Sequence, residues 1–315
     1  MKYGVCNWIF GDEPLTETAA RLTGFGYDGL ELKGDLELYD PAEVKAILDD
    51  HGLAVLSLTP EDVDLPHPDA EVRATAVDYY LRLLDFAAAV GAPMVGCHGA
   101  VGRIRPVATY EQEYVNYVVG VQRIAERAQE LGLRLAIEVL NRYESHLLNT
   151  AEEAVRFVEE VGAPNVGLLL DAYHMNIEEA DLRSAILTVG ERLFLFHAAD
   201  SNRASVGRGH TDFLGIVRTL KGIGYDGAII VECTASGSDP FTPVKGENWQ
   251  KEVARYVAES IKVLRMYAEI AGIAGTRENQ GNSGELKRNS GELKGNSAEL
   301  KGNSGELGGS HVIGI

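Results

Sequence analysis

The sequence predicts a single (β/α)₈ barrel, and three observations support this fold class. Short apolar runs alternate with longer amphipathic segments along most of the 315 residues, as in parallel strands that are covered on both faces by helices. The phrase GFGYDGLEL at 24–32 returns almost unchanged as GIGYDGAIIVE at 222–232, which indicates a repeated β/α unit. The turn after the first run, NWIFGDEP, has one glycine, whereas a doubly wound dinucleotide-binding sheet carries a glycine-rich fingerprint there.

Eight apolar runs are expected to form the strands of the barrel. In chain order they are 2–8, 29–34, 54–60, 93–99, 134–140, 166–174, 193–200 and 228–234. Glycine is common where a helix ends and the next strand is about to begin, and six glycines occupy such places: Gly26, Gly52, Gly91, Gly132, Gly162 and Gly224. The three cysteines, Cys6, Cys97 and Cys233, each lie in a run and are expected to be reduced core residues.

The final part of the chain differs in composition from the barrel. From Gly281 it reads GNSGELK, RNSGELK, GNSAELK and GNSGELG, a seven-residue repeat in which leucine is the one recurring apolar residue. A coiled coil needs two apolar positions in each heptad, and Gly and Asn disfavour a helix. The sequence therefore predicts a catalytic barrel over 1–275 and a disordered tail over 276–315.

The charge of the chain excludes some classes of partner. The formal net charge is −18 and the pI is near 4.9, so the surface would repel nucleic-acid phosphates and anionic membranes. No apolar stretch approaches the length of a membrane span, and residues 1–10 are too short and too polar for a signal peptide. We expect a cytoplasmic protein that binds neither nucleic acid nor membrane.

Ionisable residues close four consecutive predicted strands, and the carboxyl ends of barrel strands meet on one face. They are Glu138 in AIEVLNRYE, Asp171 and His174 in LLLDAYHMN, His197 and Asp200 in FLFHAADSNR, and Glu232 in IIVECT. Three carboxylates buried together would be costly or would become protonated, unless a cation balances them. The pattern predicts a divalent metal held by Glu138, Asp171, His197 and Glu232. Such ligands suit Mn²⁺, Mg²⁺ or Co²⁺ better than structural zinc.

The same segments carry a resemblance to a known family. IEVLNRYESHLLNT at 137–150, LLLDAYHMNIEE at 168–179, FHAADSNRASVGRGHTDF at 196–213 and IIVECT at 229–234 resemble the ketose 3-epimerases. These are the tagatose, psicose and ribulose epimerase group of the xylose isomerase-like barrels. The similarity extends over roughly residues 1–270.

The resemblance implies a function and a role for each site residue. It implies Glu138, Asp171, His197 and Glu232 as ligands of one divalent metal, with Mn²⁺ favoured, and Glu138 and Glu232 as the acid/base pair. It also implies that Glu144, His174 and Arg203 contact the substrate. The expected reaction inverts C3 of a ketose or keto-sugar through an enediolate, by proton abstraction and return. The expected assembly is a homo-oligomer, and the expected partner is a small sugar or sugar derivative.

Two departures from the family leave alternatives open. Family members usually carry a bulky aromatic residue after strand four, where this chain reads GCHGAVGRIRP at 96–106. They also commonly carry a glutamate after the strand-seven histidine, where this chain reads AADSNR. A wider pocket would suit a metal-dependent lyase that eliminates the aglycone of a 3-keto-C-glycoside, with a partner subunit in a hetero-oligomer. A sugar-binding barrel without catalysis is a further alternative. Arg103, Arg105 and Arg208 are candidates to hold a substrate phosphate or carboxylate.

Overall fold

The computed structural model describes residues 1–273, and eight parallel strands form its barrel. The strands are β1 Lys2–Val5, β2 Gly29–Lys33, β3 Ala54–Thr59, β4 Met94–Cys97, β5 Arg134–Val139, β6 Val166–Asp171, β7 Leu193–Ala198 and β8 Ala228–Val231. Each lies within one of the eight predicted runs. The predicted fold class is therefore confirmed. The predicted tail, 276–315, lies outside the described residues.

Helices connect the strands and surround them. They are α1 Leu15–Phe25, α2 Pro41–Asp50, α3 Ala70–Val90, α4 Tyr110–Glu130, α5 Ala151–Val161, α6 Ala172–Glu178, α7 Leu182–Val189, α8 Phe213–Gly222 and α9 Trp249–Ile270. Side-chain caps fix several helix starts: the carboxylate of Asp40 accepts two N–H bonds at α2, and Thr150 forms a capping box with Glu153 at α5. No helix within 1–273 is long and apolar enough to cross a membrane.

The six glycines predicted at helix ends all have positive φ, between 64° and 87°. This left-handed conformation suits glycine because it has no Cβ. The cysteines also agree with the prediction, since Cys6, Cys97 and Cys233 are free and buried. Large side chains fill the apolar layer between strands and helices, among them Tyr27, Tyr80, Tyr117, Phe157, Phe196 and Phe213.

The pairing order explains why the site residues converge. Each strand pairs in parallel with its sequence neighbours from β2 to β8, and β8 pairs with β1. One isolated bridge joins Cys6, directly after β1, to Glu31 in the middle of β2, which brings the ring almost to closure. Because all strands are parallel, their carboxyl ends share one rim. In that rim Asp171 is directly paired with His197.

A substitution at Gly29 tests how tightly the barrel wall is packed. A Cβ at this position would collide with the carbonyl oxygen of Ala54 and would lie 2.9 Å from Leu56 Cγ. We expect Gly29→Ala to lower the free energy of unfolding by about 1–3 kcal/mol through overpacking. Gly24→Ala is the matched control, because Gly24 lies in α1 with nothing within 4 Å of its added Cβ. It should stabilise by up to about 1 kcal/mol. Urea unfolding measures the free energy of unfolding of both variants. Equal values for Gly29→Ala and Gly24→Ala would contradict the prediction.

Candidate active site

The four predicted metal ligands meet at the carboxyl rim of the barrel. Glu138 lies in β5, Asp171 ends β6, His197 lies in β7, and Glu232 directly follows β8. Each offers a ligand atom within 4.8 Å of those of the others. All but Glu138 are buried, and the Glu138 side chain is only 11% exposed. The structure thus brings together the whole set that was predicted from the strand ends.

Two atoms of this cluster lack the partners that buried polar atoms need. Asp171 Oδ2 and His197 Nδ1 have no hydrogen-bond partner in the described part of the chain. His197 Nδ1 lies 3.3 Å from Glu232 Oε2 and 3.8 Å from Glu138 Oε1, without the geometry of a hydrogen bond. Leaving such atoms unpaired is costly. Three carboxylates and one imidazole nitrogen are a donor set that Mn²⁺ and related divalent ions accept. The residues present therefore fit a divalent cation.

The pKa shifts of the three carboxylates in the cluster also favour a bound cation. Burial, reinforced by Glu232 and Asp171 against the opposing charge of His197, raises the pKa of Glu138 well above its usual range. Burial likewise raises the pKa of Asp171 to about 7. Burial opposes ionisation of Glu232 too, but the charges of His197 and Arg203 outweigh it and hold that pKa below its usual range. Burial and the mutual repulsion of the carboxylates therefore oppose ionising all three together, and a bound cation would relieve that cost.

Glu31 contacts the cluster from the opposite side of the barrel, and the sequence analysis did not single it out. Its carboxylate lies in β2 and is almost fully buried. It accepts hydrogen bonds from the Ser57 hydroxyl, from Thr59 Oγ1 at 2.6 Å and from Cys6 Sγ at 3.2 Å. His197 Nε2 lies 3.2 Å from Glu31 Oε1 and is hydrogen-bonded to Oε2 at 3.3 Å. Because a carboxylate accepts, Nε2 carries the proton and Nδ1 faces the cluster.

His174 and Glu144, predicted to contact substrate, are both held by Asn141. The backbone N–H of Asn141 and its Nδ2 lie 3.3 and 2.7 Å from His174 Nδ1. Both of these groups donate, so Nδ1 accepts and the imidazole proton is on Nε2. Burial lowers the pKa of His174 well below its usual value, so the ring is neutral. Asn141 Nδ2 also donates to Glu144 Oε1 at 3.0 Å. Sequence reasoning assigned no role to Asn141.

Arg203, the third predicted substrate residue, lies in a strained backbone conformation beside the cluster. Its φ is +58°, which is uncommon for a residue with a Cβ and costs free energy that the surroundings must offset. Its Nη2 donates to Glu232 Oε2 at 3.1 Å, and its guanidinium lies 4.7 Å from the Tyr173 ring centroid. Nε and Nη1 have no hydrogen-bond partner among residues 1–273. The guanidinium is thus anchored at one corner and retains N–H groups for a ligand.

Two of the three arginines considered as phosphate or carboxylate ligands are already paired. Arg103 contacts Asp64 at 2.7 Å and the buried Glu113 at 2.6 Å. Glu113 also contacts His146 Nε2 at 2.9 Å and accepts from two backbone N–H groups of the loop between β4 and α4. Arg208 is paired with Glu259 on α9 at 2.5 Å. Arg103 and Arg208 therefore hold loops in place through these ion pairs.

Asp200, which was also noted at the end of a predicted strand, has a structural role, because backbone N–H groups of the loop after β7 donate to its carboxylate.

A cavity of about 310 Å³ opens over the cluster. Glu138, Glu144, His174, Arg203 and Glu232 line one side of it, and its other lining residues are Trp8, Lys33, Thr59, Pro60, Glu61, Asp62, His98, Val101, Leu140, Pro240 and Phe241. The loop after β4 contributes His98 and Val101, where the ketose 3-epimerases usually carry a bulky aromatic residue. Trp8, from the loop after β1, and Phe241, from the loop after β8, supply aromatic surface in its place.

Comparisons with known proteins agree with the barrel fold. A family model described as "Xylose isomerase-like TIM barrel" matches residues 19–265. A D-psicose 3-epimerase of Agrobacterium fabrum is 34% identical over 301 residues, covering 90% of this chain and 96% of that protein. A 3-dehydro-D-guloside 4-epimerase of Escherichia coli is 29% identical over 250 residues, covering 76% and 95%. A crystal structure of D-psicose 3-epimerase in the presence of D-fructose superposes with a TM-score of 0.77 and 28% identity, covering 86% and 100%.

The contacts of Glu113 predict that this residue fastens the loop between β4 and α4. Replacing it by glutamine removes the charge shared by Arg103 and His146, and we expect Glu113→Gln to lower the free energy of unfolding by about 1–3 kcal/mol. Glu126→Gln is the matched control, since Glu126 is exposed on the same helix and should change stability by less than about 0.5 kcal/mol. Denaturant titration measures both variants. A loss no larger than that of the control would show that the contacts of Glu113 contribute little.

Proposed function

Because the chain belongs to the xylose isomerase-like TIM barrel family, we propose that it is a divalent-metal-dependent sugar epimerase that inverts C3 of a ketose or keto-sugar. The main support is the cluster of Glu138, Asp171, His197 and Glu232, whose ligand atoms lie within 4.8 Å of one another beneath the cavity. The 34% identity to a D-psicose 3-epimerase over nearly the full length of both chains supports the same reaction.

The four cluster residues would hold the metal. When bound, a divalent ion would act as a Lewis acid toward the substrate carbonyl and a neighbouring hydroxyl. Oxygen-rich coordination with one imidazole favours Mn²⁺, with Mg²⁺ and Co²⁺ as alternatives. His197 would present Nδ1 to the ion because Glu31 retains the proton on Nε2.

The proton transfers belong to the chain's own carboxylates. Glu138 and Glu232 come from β5 and β8, which are separated in the barrel by β6 and β7, so they approach a substrate from different sides. One takes the proton from C3, and the C–H electron pair enters the enediolate. The other gives a proton to the opposite face of C3. One C–H bond breaks and one forms, and no net oxidation occurs.

The remaining site residues would orient the sugar. His174 is neutral and directs an Nε2–H donor toward the region of Asp171 and Glu138, which lie 3.6 and 4.0 Å away. Glu144 accepts hydrogen bonds, and Arg203 has N–H groups without partners in the described chain. A donor, an acceptor and a cation around one face suit a polyhydroxyl ketone.

The charges around the cavity favour an unphosphorylated substrate. Arg103 and Arg208 are already ion-paired, and Lys33 lies 3.1 Å from Asp35. Glu61 and Asp62 line the cavity as well. A phosphate at this rim would meet these carboxylates, and the cations of Arg103, Arg208 and Lys33 would be engaged elsewhere.

A second candidate reaction is epimerisation at C4 of a 3-keto-glycoside. The E. coli relative is named for a 4-epimerisation of a 3-dehydro-guloside, and the same acid/base pair could act on C4 of such a sugar, because C4 is the carbon next to a C3 ketone just as C3 is next to the C2 ketone of a ketose. The aglycone-eliminating lyase is less well supported. It was considered because the pocket was expected to have no aromatic wall, but Trp8 and Phe241 line the cavity.

The homo-oligomer, the cytoplasmic location and the domain boundary at residue 275 stay predictions.

Solvent exchange at the inverted carbon tests the proposed reaction. The purified chain, depleted with a chelator and reloaded with Mn²⁺, should epimerise a free ketose or 3-keto-glycoside in D₂O and place deuterium at that carbon, as read by NMR. Glu138→Gln and Glu232→Gln should each lower kcat by at least about a hundredfold, because each removes an acid/base group. Glu17→Gln, an exposed position on α1, is the control. Turnover that persists in the metal-depleted chain would contradict the proposed metal requirement.

The Glu31–His197 contact predicts an effect on metal binding. Glu31→Gln keeps the side-chain volume but removes the charge that orients His197, so we expect the Mn²⁺ affinity to fall about 10–100-fold. Titration calorimetry on the metal-free chain measures this affinity, and Glu43→Gln, exposed on α2, should match the unmodified chain. An unchanged affinity in a folded Glu31→Gln variant would exclude this role for Glu31.

A further inference from the structure

Trp8 connects the first strand of the barrel to the acid/base pair. It belongs to a single 3₁₀ turn, Asn7–Phe10, that follows β1. Its indole Nε1 donates to Glu232 Oε1 at 2.9 Å, although 224 residues separate the two positions. The side chain is half-buried and lines the cavity. One residue therefore contacts both a proposed catalytic carboxylate and the space above it.

This hydrogen bond distinguishes the two oxygens of Glu232. Oε1 receives the indole N–H, and Cys6 Sγ, whose one proton is donated to Glu31, lies 3.7 Å away. Oε2 faces the cluster, 3.1 Å from Arg203 Nη2 and 3.3 Å from His197 Nδ1. The terminal torsion of a glutamate is broad, so the carboxylate plane is free to turn unless partners fix it. Trp8 and Arg203 hold that plane from its two oxygens.

The chemistry of indole makes this contact directional. An indole N–H donates and never accepts, so Oε1 must offer a lone pair to it, and Oε2 is the oxygen left toward the other ligands. Phenylalanine would retain most of the aromatic surface and lose the donor. Alanine would lose both. The two functions of the side chain are therefore separable by substitution.

We propose that Trp8 is a positioning residue, which fixes the carboxylate of Glu232 through its N–H and forms a wall of the sugar pocket with its ring. The proposal rests on the proposed function for the identity of the ligand in the cavity. Its first part does not depend on which sugar binds, because the hydrogen bond to Glu232 exists in the protein alone. The second part accounts for the aromatic surface that the loop after β4 does not provide.

Substitution with two readouts tests the proposal. In Trp8→Phe, the Mn²⁺ affinity of the substrate-free chain should fall about tenfold or more, as for other residues that orient a metal ligand. Its kcat should fall with it while KM for the sugar changes little. Trp8→Ala should show the same loss of affinity and also a raised KM. Trp249→Phe, at the other tryptophan of the chain, is the control and should behave as the unmodified protein.

Fluorescence gives a measurement that keeps Trp8 in place. In Trp249→Phe, Trp8 is the sole tryptophan, and Mn²⁺ bound beside Glu232 should quench its emission strongly, because a paramagnetic ion quenches a nearby indole. Mg²⁺, which is not paramagnetic, should quench it far less. Emission that is unchanged at saturating Mn²⁺ would overturn the proposal even if the Trp8→Phe chain does not fold.

The outcomes separate this proposal from the proposed function. Unaltered Mn²⁺ affinity in folded Trp8→Phe would reject the positioning role, and equal KM values for Trp8→Phe and Trp8→Ala would reject the contact between ring and sugar. If the unmodified chain epimerises no sugar at full Mn²⁺ occupancy, the proposed function fails. The affinity and quenching results would still decide whether Trp8 positions Glu232.

Discussion

The burial of three carboxylates and one imidazole in a single cluster is the constraint on which the rest of the site depends. Glu138, Asp171, His197 and Glu232 occupy the rim of a barrel whose interior is apolar, where charge without a partner is costly. The surrounding contacts limit that cost: Glu31 fixes the imidazole, and Arg203 fixes the carboxylate of Glu232. Two buried atoms of the cluster still lack partners among residues 1–273, and a divalent cation would satisfy both.

The two halves of the barrel contribute different groups to the site. Strands β5 to β8 and the residue after β8 supply the four cluster residues, whereas β1 to β3 and the turn after β1 supply groups that hold those residues in place. Glu31 in β2, with Ser57 and Thr59 in β3 behind it, reaches His197. Trp8 reaches Glu232. Closure of the ring is what makes this possible, since the bridge between Cys6 and Glu31 joins the segment after β1 to β2.

The strands and the four residues of the cluster were predictable from sequence because both follow from local patterns. An apolar run marks a strand, and an ionisable residue at its carboxyl end falls on a known rim. Glu31 was harder to recognise, because it lies within a short run, GLELKG, and its partner is 166 residues away. Its charge in the middle of an apolar strand was the available signal. Asn141 and Trp8 gave no comparable signal, since their roles depend on side-chain directions that only the folded barrel defines.

Loop conformation separates the residues that remain free for a ligand from those that do not. Arg103, Arg203 and Arg208 all lie in glycine-containing loops on the rim. The sequence alone does not distinguish which of them can bind a ligand. The fold commits Arg103 to Glu113 and Arg208 to Glu259. It holds Arg203 in a left-handed conformation through hydrogen bonds to Asp200 and Thr234. A strained backbone is retained where the surroundings over-determine it, and here it directs a guanidinium toward the cluster. The left-handed backbone and the hydrogen bond from Nη2 to Glu232 thus occur at the same residue, as expected where strain is retained at a functional site.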